Sequence, residues 1–343
     1  MLHVLIGGAG FIGSNFAALL LSKGEQVVVL DNLYRRGAEH NLEWLKKAGA
    51  KNFRFEKLDI TRDFESLKKE VEHADRVYHL AAQVAVTDSV ANPRLDFEIN
   101  ALGSFNVCEA VRSAKTSPHL IYSSTNKVYG SLEKLKIKEG EKHYLLIDPP
   151  NGVSEETCID FHSPYGCSKG CADQYVRDYN RIYKMKTTVF RQSCIYGPHQ
   201  FGIEDQGWLA WLLIATKLGR QLSIYGDGKQ VRDVLYVDDL FAAFEAAFSK
   251  PSASCGSIYN IGGGPSHTLS LLEYIDIMRS LGEKPQYSFA NWRPGDQKVY
   301  ISDIRKAKEE LGWSPQISKL QGISKMKDWI GENMQLIAAL NKG

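Results

Sequence analysis

The 343-residue chain lacks any apolar run approaching the roughly 20 residues that a bilayer span needs, so no membrane partner is expected. It also lacks an imbalance of charge. Its 42 Lys and Arg stand against 40 Asp and Glu, a formal net charge of +2, and no nucleic-acid or polyanion partner is expected. Its six cysteines lack metal-ligand spacing. Cys167 and Cys171 share a helical face, yet no histidine or further cysteine pair completes a zinc site, so no metal is expected. The thiols read as reduced, in a cytoplasmic protein. Low-complexity tracts, internal repeats and long linkers are absent too. The N-terminus enters a strand at once and leaves no room for a signal peptide.

What is present begins with Leu2-His3-Val4-Leu5-Ile6, a short apolar strand that runs into Gly7-Gly8-Ala9-Gly10-Phe11-Ile12-Gly13. An amphipathic helix follows to about Gly24, and a second apolar run, Val27-Val28-Val29-Leu30, closes on Asp31. A glycine motif in this β-α-β setting indicates a dinucleotide site. Gly7 allows the tight turn, Gly10 admits a pyrophosphate to the backbone, and Gly13 lets helix and strand pack closely. The helix N-terminus at Phe11 and Ile12 offers free N–H groups and a favourable dipole to the anion. Asp31 suits ribose hydroxyls and repels a 2′-phosphate, which favours NAD over NADP. Arg35 and Arg36 just beyond read as solvated loop charges. Asn32 neighbours Asp31, Asp59-Ile60 follows a third strand-like stretch, and Leu80-Ala81-Ala82 follows a fourth, all where doubly wound sheets bind ligands.

Tyr165 and Lys169 stand four apart and share a helical face. Pro164 precedes them where a helix tolerates proline, and Ser163 can cap. A free tyrosine has a pKa of about 10 and is a poor base at neutral pH. A lysine cation within about 4–6 Å lowers that by roughly 1–3 units. Thr125 ends the apolar run Leu120-Ile121-Tyr122-Ser123-Ser124-Thr125, a buried strand, from which it could hydrogen-bond the same substrate hydroxyl. The three form a candidate catalytic set for proton removal from a sugar hydroxyl.

The expected fold class is α/β: a Rossmann-type doubly wound parallel sheet with a smaller, discontinuous α/β substrate lobe. Residues 1–192 plus about 234–264 are expected to form the NAD-binding domain, and about 193–233 with 265–343 the second lobe.

These residues resemble an extended short-chain dehydrogenase/reductase acting on nucleotide sugars. The resemblance spans nearly the whole chain and includes Val128-Tyr129-Gly130, Arg191 with Tyr196-Gly197-Pro198, Gly226-Asp227-Gly228 with Arg232-Asp233, and Arg293-Pro294-Gly295-Asp296. It implies that Arg232 and Arg293 clamp the substrate diphosphate, that Asn100 belongs to a proton relay near the cofactor, and that Ser123 contacts the cofactor. The sugar 4,6-dehydratases of this superfamily follow their threonine with Asp-Glu; here Asn126-Lys127 follow, so dehydration is not expected. Ser123–Gly130, Asp160–Gly170, Asp205-Gln206-Gly207-Trp208 and Gln83-Val84-Ala85 are similar to the CDP-paratose (CDP-tyvelose) 2-epimerases. That resemblance implies NAD-dependent inversion at C2 of a CDP-, GDP- or UDP-hexose. Gln83, Asn126, Lys127, His162 and Gln206 are then sugar contacts. A 4-epimerase of the same fold and a non-catalytic NAD-sensing protein stay open as alternatives. In relatives the helices near 98–114 and 165–183 form a homodimer interface. Phe105, Val107, Val111, Tyr175, Val176 and Tyr179 could supply it, or could face the core.

Overall fold

A computed structural model of the chain describes residues 1–49, 51–293 and 296–341. The first strands are β1 (Leu2–Ile6), β2 (Gln26–Asp31), β3 (Phe53–Lys57), β4 (Arg76–His79) and β5 (His119–Thr125). They pair in parallel as β3-β2-β1-β4-β5, and the strands Thr187–Gln192 and Ser257–Ile261 extend the sheet beyond β5 to seven. The order reverses between β1 and β4, the switch point at which open α/β sheets bind ligands. Val4, Val28, Val77 and Leu120 are buried in one apolar cluster with Val107, Val111, Val176 and Tyr179 from the helices that pack on the sheet. This explains why the strands read as continuous apolar runs. The expected Rossmann-type architecture is present.

By internal contacts the chain divides into two units. The first comprises Met1–Val128, Ser163–Arg191 and Ala243–Tyr259; the second comprises Tyr129–His162, Gln192–Ala242 and Asn260–Gly343. Residues 129–162, placed in the first lobe on sequence grounds, therefore belong with the second, as do 234–242 and 260–264. The reason lies in local pairing. Lys136–Glu139 and Tyr144–Asp148 form an antiparallel hairpin, and Tyr144 and Ile137 pack with Val231 and Val299. The second unit also carries a small mixed sheet in which Val231–Tyr236 pairs with Cys194–Tyr196, Val299–Tyr300 and, antiparallel, Thr268–Ser270. Among the described residues no helix is long and apolar enough to cross a membrane.

Candidate functional site

The glycine turn between β1 and α1 (Phe11–Ser22) is built as the spacing predicts. Gly7 has φ +82°, and a Cβ on it would overlap the backbone of Ala81. A Cβ on Gly13 would lie 2.5 Å from Gly8 Cα and 2.6 Å from the Gly7 carbonyl oxygen. Gly10 differs: its Cβ would meet only the Gly7 carbonyl, at 3.3 Å, so its side of the turn is open. No side chain caps α1 at Gly10, which leaves the helix dipole unanswered from within. This is a cradle for an anion, and it fits a dinucleotide pyrophosphate. Gly13→Ala is expected to lower stability by about 1–3 kcal/mol through overpacking, read as a fall in thermal midpoint.

Asp31 ends β2 beside this turn. Its carboxylate accepts the N–H of Ala9 at 3.0 Å and of Leu33 at 2.8 Å, and burial pushes its pKa up against those hydrogen bonds. Asn32 donates to Asp59 at 3.1 Å, and Asp59 also accepts the Thr61 hydroxyl at 2.7 Å. Ile60 is buried against Gly103. The N–H groups of Leu80 and Ala81 both donate to the Ile6 carbonyl at 2.8 Å, and Ala82 continues that turn. The expected cofactor residues thus share one edge of the sheet. Arg35 is half-buried, and burial pushes its pKa down while nearby Asp88 pulls it up, so it is no solvated loop charge.

Asn100 is buried, in a π-helical turn (Glu98–Leu102) between the helices Pro93–Phe97 and Gly103–Arg112. Such turns recur at functional sites. Its amide accepts the Gln83 N–H at 2.9 Å and donates to the Gln83 carbonyl at 3.0 Å, clamping that loop. The Gln83 side chain donates to the Ala85 carbonyl at 2.8 Å, leaving its own buried oxygen without a partner.

The helix Ser163–Tyr183 carries Tyr165 and Lys169. Ser163 takes the left-handed φ of +67°, and its hydroxyl accepts the Gly166 N–H at 3.3 Å, which is the capping role its type suggests. Tyr165 is 8% exposed, and the neighbouring Thr125 hydroxyl favours its ionised form. Lys169 Nζ donates to the Ser123 carbonyl at 2.6 Å and lies 4.3 Å from the Tyr122 ring centroid. Burial pushes the Tyr165 phenol up to about 12, and Thr125 and Arg35 offset this only in part. The Lys169 ammonium is directed to the Ser123 carbonyl and the face of the Tyr122 ring. Burial likewise pushes Lys169 down to about 7 against the pull of Asp173 and Asp96.

Sequence reasoning missed Asp173. It follows Lys169 by one more helical turn on the same face, which was the available signal. Fully buried, it accepts the Ser124 hydroxyl at 2.7 Å and two guanidinium N–H groups of Arg191, each at 3.0 Å. It therefore fastens the end of β5, and with it Thr125, to the helix of Tyr165. After Thr125 the chain turns through Asn126, buried, and Lys127, whose N–H donates to the threonine hydroxyl at 3.3 Å.

In the second unit Arg232 donates to Asp296 at 2.8 Å. Arg293 pairs with Asp205 at 3.0 Å, and its guanidinium carbon lies 3.9 Å from the Tyr225 ring centroid. The Trp292 ring covers Gly226, where a Cβ would come within 2.6 Å of it. Gln206 is half-buried beside Asp205 and bonds Ile203 through its backbone. His162 is exposed. Pro294 and Gly295 of the late arginine motif lie outside the described residues.

Comparison with known proteins places these geometries in context. A family model described as GDP-mannose 4,6 dehydratase matches residues 4–326. A CDP-paratose 2-epimerase of Salmonella typhi is 44% identical, covering 95% of this chain and 98% of its own. Among solved structures, a dTDP-glucose 4,6-dehydratase of Streptomyces venezuelae with NAD bound is similar at TM-score 0.85 and 28% identity, covering 99% of this chain and 100% of that one. A UDP-glucuronic acid 4-epimerase of Bacillus cereus in complex with UDP-glucuronic acid and NAD is similar at TM-score 0.83 and 28% identity, covering 97% and 99%.

Proposed function

The chain belongs to the GDP-mannose 4,6-dehydratase family, the epimerase and dehydratase branch of the short-chain dehydrogenases, and from that premise we propose that it inverts C2 of a CDP-hexose with bound NAD. The full-length likeness to a CDP-paratose 2-epimerase carries this reading. The family's name does not extend to the reaction. Thr125 is followed by Asn126 and Lys127, neither of which can serve as the carboxylate pair of a dehydratase.

A carbinol carbon cannot be inverted by direct deprotonation, since nothing adjacent stabilises the carbanion. When bound, NAD supplies the way round by accepting a hydride from that carbon and returning it. The protein's residues manage the oxygen. Tyr165 takes the C2 hydroxyl proton and hands it back, and Thr125 holds that oxygen by hydrogen bond. Lys169, as an ammonium, holds the nicotinamide ribose. Gly7, Gly10, Gly13 and Asp31 fit the dinucleotide for the reasons of shape and charge given above, with Phe11, Ile12, Asn32, Asp59, Ile60, Leu80, Ala81, Ala82, Asn100 and Ser123 around it. The 2-keto sugar must then present its other face. Arg232 and Arg293 hold the diphosphate through that swing, in bidentate fashion. Gln83, Asn126, Lys127, His162 and Gln206 contact the sugar.

We also infer a homodimer in the cytoplasm. Val107, Val111, Val176 and Tyr179 are buried in the chain's own core, but Leu102, Phe105, Tyr175, Ile182 and Tyr183 are exposed apolar groups on the two helical segments named from the sequence. All six cysteines are free, which suits a reducing compartment.

The test is a product assay by NMR in deuterated water, without added NAD, on CDP-, GDP- and UDP-hexoses. Inversion at C2 of the CDP sugar without deuterium uptake is expected. Inversion at C4 would establish the 4-epimerase instead, and deuterium in the product would overturn the internal return of hydride.

A further inference from the structure

We propose that Asp96 is a positioning residue for this reaction: it ties the helix of Tyr165 and Lys169 to the Gln83 loop and supplies, beside Asp173, a second negative charge that the Lys169 ammonium faces. The inference rests on the catalytic roles proposed above for those two groups. Asp96 lies on the short helix Pro93–Phe97 and is 1% exposed. One carboxylate oxygen accepts the Ser168 hydroxyl at 2.5 Å, and the other accepts the Asn100 amide at 3.1 Å. Ser168 also donates to the Tyr165 carbonyl at 3.2 Å, and Asn100 grips both backbone groups of Gln83. A single carboxylate thus joins the catalytic helix, the π-helical turn and the loop after β4.

Its charge is as unusual as its place. A buried carboxylate is normally answered by a cation, because losing water is expensive for an ion. Asp173 obeys this rule through Arg191. Among the described residues the hydrogen-bond partners of Asp96 are neutral, Ser168 and Asn100. The cation that feels it is Lys169.

The groups facing Lys169 can be named element by element. From its own helix comes Asp173; from β4 comes His79, kept neutral because burial and Lys169 push it down to about 3. From β5 come the Tyr122 ring and the Ser123 carbonyl, and from Pro93–Phe97 comes Asp96. Tyr165 is faced by Thr125, Asp96 and Arg35. Asp96 therefore makes both the phenol and the ammonium hold their protons more firmly. Removing its charge must loosen both, in the same direction.

The experiment is competitive labelling of the full-length, NAD-loaded protein with acetic anhydride across pH, with Lys169 modification read by peptide mass spectrometry. Asp96→Asn keeps the acceptor oxygen and removes the charge; its midpoint is expected about one pH unit more acid than in the wild type. Asp96→Glu keeps the charge and is expected to retain the wild-type midpoint. An unchanged midpoint in Asp96→Asn, or an equal shift in Asp96→Glu, overturns the proposal. If the asparagine protein does not fold, Asp96→Ser, which also removes the charge, decides in its place by the same acid shift of the Lys169 midpoint. No substrate is needed, so failure of the epimerase reading would leave this result standing. Where the epimerase assay succeeds, both limbs of the kcat profile should move acidward in Asp96→Asn. A merely structural residue would lower the curve without moving it.

Discussion

Tyr165→Phe is expected to reduce kcat by roughly 10²–10⁴-fold while the protein stays folded and keeps its NAD. The ring occupies a buried place that phenylalanine fills equally well, so only the hydroxyl beside Thr125 is lost. Turnover by the NMR product assay, with NAD released and quantified after denaturation, separates chemistry from binding. Undiminished turnover would sink the mechanism. With the phenol pushed up to about 12, Tyr165 is fully protonated near neutrality. Its conversion to a base therefore needs positive charge brought in with the oxidised cofactor, not the lysine alone.

Asp173→Ala is expected to cost about 3–5 kcal/mol of stability, because it leaves the Arg191 guanidinium buried without an anion. Urea unfolding would register this as a lower midpoint. A double variant, Asp173→Leu with Arg191→Met, removes both charges and should recover most of the loss, since apolar replacement of a buried pair is often close to neutral. A single-variant loss below about 1 kcal/mol would mean that the pair is not what fastens β5 to the catalytic helix.

The parallel sheet was legible because its strands are short unbroken apolar runs ending on Gly7, Asp31 and Thr125, and these patterns need no tertiary knowledge. The roles of Gly7 and Gly13 were legible for the same reason: each is a local steric demand. The second unit was harder to delimit. Its hairpin at 136–148 joins Val231 and Val299, a pairing across some ninety residues and more that no local pattern announces. The electrostatics were the least legible part. Helical spacing brought Tyr165 and Lys169 to one face, but the phenol's pKa is governed by burial, and burial is a property of the whole fold. Asp96 escaped notice although it stands four residues before Asn100, because an acidic residue on a short helix reads as solvated and only the assembled fold buries it.

The paired state of Arg232 and Arg293 has a further meaning. Each proposed clamp arginine already holds a carboxylate, Asp296 and Asp205 respectively. A diphosphate arriving there exchanges one anion for another, so part of its attraction is spent on eviction. The hold is weaker than two vacant guanidinium groups would give, and the two displaced carboxylates wait nearby to expel the ligand. For the proposed reaction, whose substrate and product carry the same nucleotide, such an exchange of anions would ease release of the product.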